Sequence, residues 1–273
     1  MKIVMVGAGN VSTHFTRVLQ EHGHDIIQIY SHTEASAQLL ANRTGTDYTT
    51  QIKQISSSAD LYIVSLKDAV LADVLPQLVR QNPEALYIHT AGSIPMSIWQ
   101  GLTGRYGVVY PMQTFSKNKT VDFSSLPIFI EANNEPDAQL LYSLFSDISS
   151  KVRFATSEQR QYLHLAAVFA CNFSNNMLSM CQEILQAHGL PFDAMLPLID
   201  ETASKVHFLS PVEAQTGPAQ RNDINVMNKH LDMLNEFPHL QQMYQWVSQS
   251  IRHYEENHKQ LTATSVTTNY DKV

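Results

Sequence analysis

The sequence has little charge and almost no cysteine. Charged residues fill 16% of its 273 positions, and the net charge is −7. With no basic stripe in view, no nucleic-acid partner is expected. The two cysteines, Cys171 and Cys181, fall on one predicted helix. At about 1.5 Å per residue they stand roughly 15 Å apart, too far for a disulfide. Free, buried thiols in a cytoplasmic protein are therefore expected. No apolar run is long enough to span a membrane. The longest, around Leu163–Met180, is broken by His164, Asn172, Ser174, Asn175 and Asn176, and reads as a buried helix. The N-terminus opens directly on a strand, so no secretory leader is expected. There are 12 histidines, yet none joins a cluster with ligand spacing, so no metal site is expected. Internal repeats and low-complexity tracts are absent.

What is present is an alternation of strand and helix over the first half. Strand patterns fall at Lys2–Val6, Asp25–Tyr30, Leu61–Ser65, Ala85–His89, Gly107–Tyr110 and Pro127–Glu131. Helical patterns lie between them at Val11–His22 (closed by Gly23), Glu34–Arg43 (closed near Gly45) and Asp68–Arg80, with a shorter one after Pro95. Such alternation implies an α/β fold with a doubly wound, mainly parallel sheet. After Phe154 the strand signals stop. Thr156-x-x-Gln159 reads as a capping box opening a helix of about 30 residues that ends near Gly189. Further helices are expected at about Phe192–Lys205, Pro218–Asn235 and Leu240–Glu256. The predicted domains are thus 1–152 (α/β), 153–258 (all-helical) and a polar, fraying tail at 259–273.

The first strand runs straight into Gly7-Ala-Gly9-Asn10-Val11. A strand, a tight glycine turn and a helix N-terminus converge there, and a pyrophosphate fits that convergence. The third fingerprint position is Ser12, small enough for close helix–strand packing. In an open sheet of this kind the ligand lies at the carboxyl ends of the strands. Candidate cofactor residues are therefore Gly7, Gly9, Asn10, Val11, Ser31, His32, Thr33, Ser65, Leu66, Ala91 and Gly92. NAD-preferring sites place Asp or Glu at the end of the second strand. Here that turn reads Ser31-His32-Thr33 and carries no carboxylate. NADP is favoured over NAD, with two hydroxyls and an imidazole to meet the 2′-phosphate.

Gly7-Ala-Gly-Asn-Val resembles the GxGNM nucleotide loop of pyrroline-5-carboxylate reductase. Asp60-Leu-Tyr-Ile-Val-Ser-Leu-Lys-Asp and His89-Thr-Ala-Gly-Ser continue the likeness. The second half resembles another family, Rossmann-like proteins with a DUF2520 C-terminal domain. Its patterns are matched at Tyr110-Pro-Met-Gln-Thr-Phe-Ser, at His164 through Asn172, and at Thr216-Gly-Pro-Ala-Gln-Arg-Asn-Asp223. Tyr110 stands where that family often has His, and Asn222 where it often has Gly. The resemblance implies an N-terminal Rossmann domain and a helical C-terminal domain of the 6-phosphogluconate dehydrogenase-like type. It also implies an NADP-dependent oxidoreductase, usually a homodimer, with the first long C-terminal helix bordering the nicotinamide.

Three residues are candidates for the chemistry. His164 and Asn172 are spaced i, i+8 with Val168 between, so they share one face of a straight helix. His164 is the candidate general acid, and Asn172 would orient substrate. Both also fit a core role as hydrogen-bonded structural residues. Arg221 is placed to hold a substrate carboxylate, or equally to pair with Asp223. Four residues before Asn172 stands Val168 and not Lys, so the Lys/Asn pairing of β-hydroxyacid dehydrogenases is missing. The expected activity is hydride transfer to or from a small C=O or C=N substrate at the domain interface. The alternative is a dinucleotide-binding sensor or assembly protein without turnover.

Overall fold

Alternating residues of the first strand set the layers of the structure, a computed structural model that describes the backbone of residues 1–270 and the side chains of residues 1–261. In β1 (Lys2–Val6), Ile3 and Met5 join one apolar cluster, while Val4 and Val6 join another. Side chains alternate across a strand, so β1 is buried on both faces. α1 (Asn10–Glu21) covers one face through Phe15 and Leu19. α3 (Asp68–Val79) covers the other through Leu71, Leu75 and Leu78.

The remaining strands are β2 (Asp25–Tyr30), β3 (Asp47–Thr49), β4 (Leu61–Val64), β5 (Leu86–His89), β6 (Tyr106–Pro111), β7 (Ile128–Ala132) and β8 (Val152–Phe154). They form one sheet in the order β3-β2-β1-β4-β5-β6-β7-β8. All neighbours pair in parallel except β6 and β7, which are antiparallel. The order of strand addition reverses between β1 and β4, so the carboxyl ends of these two parallel strands flank a crevice. α2 (Glu34–Thr44) ends on Gly45, whose φ of +66° closes the helix left-handedly.

Two strands and one α-helix go beyond those expected from sequence. β3 and β8 have three residues each, too short to carry a period-2 signal. α4 (Glu135–Ser146) has its signal in plain view: Asn134 caps it, accepting from the Asp137 amide at 2.9 Å, and Pro136 sits in its first turn. The short helix expected after Pro95 is a single 3₁₀ turn, Met96–Trp99.

The chain divides into two compact units, Met1–Ser174 and from Asn175 onward. This division lies beyond residue 152, because α5 (Ser157–Ala167) is bonded into the loops of the sheet unit, as described below. The capping box at Thr156 is formed, with Thr156 Oγ1 and Gln159 Oε1 accepting from each other's backbone amides. α5 passes into a π-helical turn, Val168–Phe173, and then into α6 (Ser174–Ala187). Cys171 is exposed and Cys181 half-buried, so the thiols are free but not sealed in a core.

In the second unit, α7 (Leu196–Lys205), α8 (Ile224–Met233) and α9 (Pro238–Tyr270) follow α6. The helix expected from Pro218 begins only at Ile224. Asn222 takes φ +55°, and Asp223 caps α8 by accepting from the Val226 amide at 3.2 Å. Thr216-Gly217-Pro218 is therefore a turn and not a helix start. The tail expected to fray from Lys259 is helical through Tyr270, and residues 271–273 lie outside those described. No helix among the described residues is long and apolar enough to cross a membrane.

Candidate functional site

The carboxyl ends of β1, β2, β4 and β5 carry the predicted cofactor residues. Gly7 takes φ +119°, and its amide donates to the Tyr30 carbonyl at 2.7 Å. A Cβ on Gly7 would stand 2.2 Å from the Ser65 carbonyl oxygen, so the turn admits no side chain. Gly9 is the opposite case: it caps α1 in an extended conformation, and its Cβ would meet nothing within 4 Å. The space above Gly9 is open. No side chain caps α1 and no carboxylate sits in its first turn, so its leading amides face that space unpaired.

Asn10 is committed elsewhere, since its Nδ2 donates to the Phe115 carbonyl at 2.8 Å. This ties the loop after β6 to the start of α1. Val11 is half-buried, packed against the core. Ser31 is buried and its Oγ accepts from the Thr33 amide at 3.3 Å. His32 and Thr33 are exposed, and their side chains make no hydrogen bond among the described residues. The turn offers an imidazole and a hydroxyl to solvent and no carboxylate.

The loop after β5 is held in a different way. Arg160, in the first turns of α5, is 1% exposed. Its Nη1 donates to the carbonyls of Ala91, Gly92 and Ile94 at 3.0, 3.1 and 2.6 Å. Its Nη2 reaches Glu131 Oε2 at 3.2 Å and Ser157 Oγ at 3.0 Å. Gln161 Nε2 takes the remaining carbonyl of that stretch, Ser93, at 3.0 Å. Ser93 Oγ in turn donates to Asp68 Oδ2 at 2.5 Å, joining the loop to the first turn of α3. Burial lowers the Arg160 pKa and the paired Glu131 opposes this, so the cation is retained by its acceptors.

Gly92 is buried beneath this clamp, and His164 lies against it. A Cβ on Gly92 would fall 2.7 Å from His164 Nδ1 and 2.9 Å from Tyr110 Cε2. His164 Nδ1 is 3.2 Å from the Tyr110 hydroxyl, and the two rings meet edge to face. Burial raises the Tyr110 pKa, which keeps the phenol neutral, while Arg160 pulls the other way. His89, at the end of β5, accepts from the Ala91 amide at 3.2 Å. Burial first, and Arg160 second, push its pKa down to about 3, so it is a neutral structural imidazole.

Of the three predicted chemical residues, His164 joins Gly92 and Tyr110 in one cluster of the first unit. Asn172 is exposed within the π-helical turn. That turn breaks the 3.6-residue register, so the straight-helix spacing to His164 does not apply. Arg221 belongs to the second unit, exposed in the turn before α8, and makes no ion pair among the described residues. Asp223 is occupied as the α8 cap. Sequence reasoning missed Arg160, Glu131 and Gln161. One signal was available: Arg160 stands in the first turns of a helix, where the dipole disfavours a cation unless something pairs it.

Sheet, glycine turn and clamped loop together define an α/β unit of the open, mainly parallel, Rossmann-like kind, joined in the same chain to a helical unit. The comparisons agree. A Rossmann-like domain profile matches residues 1–113, and the domain of unknown function DUF2520 matches residues 126–251. A Bacteroides fragilis protein of solved structure, provisionally described as an NADP oxidoreductase, is 51% identical. That match covers 92% of this chain and 98% of the other, with a TM-score of 0.89. The chain belongs to this Rossmann-like, DUF2520-containing family. The fold is shared further out. A Myxococcus stipitatus imine reductase in complex with NADP+ is 12% identical, covering 96% of this chain and 95% of that one, with a TM-score of 0.67. A Coxiella burnetii pyrroline-5-carboxylate reductase is 16% identical, covering 93% and 97%, with a TM-score of 0.57. None of the curated proteins matches.

Proposed function

We propose that the protein is an NADP-dependent reductase that transfers hydride to a small C=N or C=O substrate. The observation that carries this reading is the pairing of two features at the same strand ends: the open glycine cradle at Gly7–Gly9, and the His164 imidazole seated on Gly92. The first suits a pyrophosphate on the unpaired amides of α1. The second sets a proton donor in the β5 loop region, where the reacting end of the cofactor would lie. The nicotinamide supplies the hydride when bound, and the protein's residues hold, orient and protonate. A family relative described as an NADP oxidoreductase and a structural neighbour with NADP+ bound support the same choice of cofactor. So does the carboxylate-free turn at Ser31, His32 and Thr33, where NAD sites carry Asp or Glu.

The protein acts as a homodimer in this reading. The second unit exposes Phe208 at 87%, Met233 at 72% and Trp246 at 58%, more apolar side chain than a monomer commonly leaves to water. The free thiols fit a reducing compartment such as the cytoplasm.

Titration with NADPH and NADH, followed by nicotinamide fluorescence, tests the cofactor. NADPH is expected to bind about tenfold or more tightly than NADH, and Thr33→Asp is expected to narrow that ratio. No binding of either nucleotide at sub-millimolar concentration would end the reading.

A further inference from the structure

Resting on that reductase reading, we propose that Tyr110 is a positioning residue for proton delivery: its hydroxyl engages His164 Nδ1, so that Nε2 is the ring atom presented to the substrate. A histidine has two distinct nitrogens, and the bond made by one decides what the other does. Here the Nδ1 side of the ring is closed. Gly92 lies so near that even a methyl group would stand 2.7 Å from Nδ1, and the Tyr110 hydroxyl occupies its hydrogen-bonding direction at 3.2 Å. Nε2 makes no hydrogen bond among the described residues, and His164 is half-buried.

The seat of the ring is fixed from below. The four successive carbonyls of Ala91, Gly92, Ser93 and Ile94 all accept from Arg160 or Gln161 on α5, the same helix that carries His164. Loop and imidazole therefore share one support. The titratable groups acting on Tyr110 are Arg160 and His164 from α5 and Cys171 from the π-helical turn. No carboxylate is among them to compete for the hydroxyl.

A phenol suits this place because it both accepts and donates. It accepts from Nδ1–H in the imidazolium and in the Nδ1–H tautomer of the neutral ring, and donates to Nδ1 only in the other neutral tautomer. In the reduction, hydride adds to the carbon of a C=N bond and the π electrons move to nitrogen. The Nε2 proton passes to that nitrogen, leaving a neutral imidazole whose Nδ1–H still meets the Tyr110 oxygen. Solvent then returns a proton to Nε2. A phenylalanine would fill the same space and do neither.

The test compares the full-length protein with Tyr110→Phe and Tyr110→His. Long-range proton–nitrogen NMR on histidine-labelled protein, with His164 assigned by loss in His164→Gln, reads the ring directly. In Tyr110→Phe the Nδ1 resonance should move toward that of an unbonded imidazole, and Tyr110→His should move it back. With NADPH and 1-pyrroline as a probe imine, Tyr110→Phe should lower kcat about tenfold. KM for NADPH should stay within about twofold, and Tyr110→His should recover most of the loss. An unchanged Nδ1 resonance, or an unchanged kcat, in Tyr110→Phe overturns the proposal. If Nδ1 responds but no NADPH is consumed with the probe imine, the coupling of the two rings stands and proton delivery with the reductase reading falls.

Discussion

The two units solve the burial problem in opposite ways. In the sheet unit the strand residues Ile3, Val4, Met5, Leu61, Ile63, Leu86 and Ile88 are all 0% exposed, and helices cover both faces. In the second unit the buried apolar residues among those described are Ala219, Leu234 and Leu240 alone. One unit makes its own core. The other carries its apolar residues outward, as a helix does when its cover comes from elsewhere. The contrast extends to polar groups. The sheet unit buries an arginine with acceptors on both terminal nitrogens, whereas the second unit leaves its ion pairs, such as Lys205 with Glu201, at the surface. Substitutions in the first unit should thus act on folding and nucleotide binding, and those in the second on assembly.

The largest effect is expected at the clamp. Arg160→Met leaves the half-buried Glu131 carboxylate with only the Ser157 hydroxyl donating to it, and takes the Arg160 donor from the carbonyls of Ala91, Gly92 and Ile94. Removing one partner of a buried pair costs about 3–5 kcal/mol. Urea unfolding should show that loss, and a change under 1 kcal/mol would mean the clamp is not structural. The glycine turn comes next. Gly7→Ala forces a Cβ to 2.2 Å from the Ser65 carbonyl and should weaken NADPH binding about 100-fold while also lowering stability. Gly9→Ala meets no protein atom, so stability should hold within about 0.5 kcal/mol. NADPH affinity should still fall, because the new methyl group enters the space above α1. If both glycines behave alike, the division between a turn glycine and a ligand glycine is lost.

Much of the sheet unit is legible in sequence because its signals are local. Six of the eight strands announce themselves by apolar runs, and the first glycine turn by its place at a strand end. What sequence does not display is convergence. Arg160 and the carbonyls it binds are separated by 66 to 69 positions, so no motif window joins them. Tyr110 and His164 stand 54 positions apart, and the tyrosine reads from sequence only as a departure from a family pattern. The π-helical turn is hidden for another reason: nothing in Val-Phe-Ala-Cys-Asn-Phe marks a change of pitch, so a straight helix was the natural reading. Asn172 and Arg221 are candidates for substrate contact, and neither side chain has a hydrogen-bond or ion-pair partner among the described residues that would assign it a role.

The second unit is tested through assembly. If its exposed side chains meet a second copy, Trp246→Ala should raise the dimer dissociation constant about thirtyfold, the equivalent of a 2 kcal/mol anchor. NADPH binding measured per chain should change far less. Sedimentation that finds only monomer in the unsubstituted protein at micromolar concentration would remove the dimer and the contrast built on it.

The last effect discriminates most finely, because it isolates one buried group of the sheet unit. His89 has a folded pKa of about 3, well below the ordinary histidine value of 6.5. Between those values the unfolded chain holds a proton that the folded chain rejects. Acid therefore favours unfolding: the contribution of His89 is complete above about pH 6.5 and is lost progressively as pH falls toward 3. Each pH unit in that window is worth at most about 1.4 kcal/mol for one proton, so the change from pH 7 to pH 5 is about 2 kcal/mol. His89→Gln keeps an acceptor for the Ala91 amide but cannot titrate. It should be less stable than the unsubstituted protein at pH 7 and should lose correspondingly less between pH 7 and pH 5. Urea midpoints at both pH values give the difference of slopes. Parallel slopes would show that the proton is excluded from His89 in both states or in neither, and that acid sensitivity enters through another of the twelve histidines.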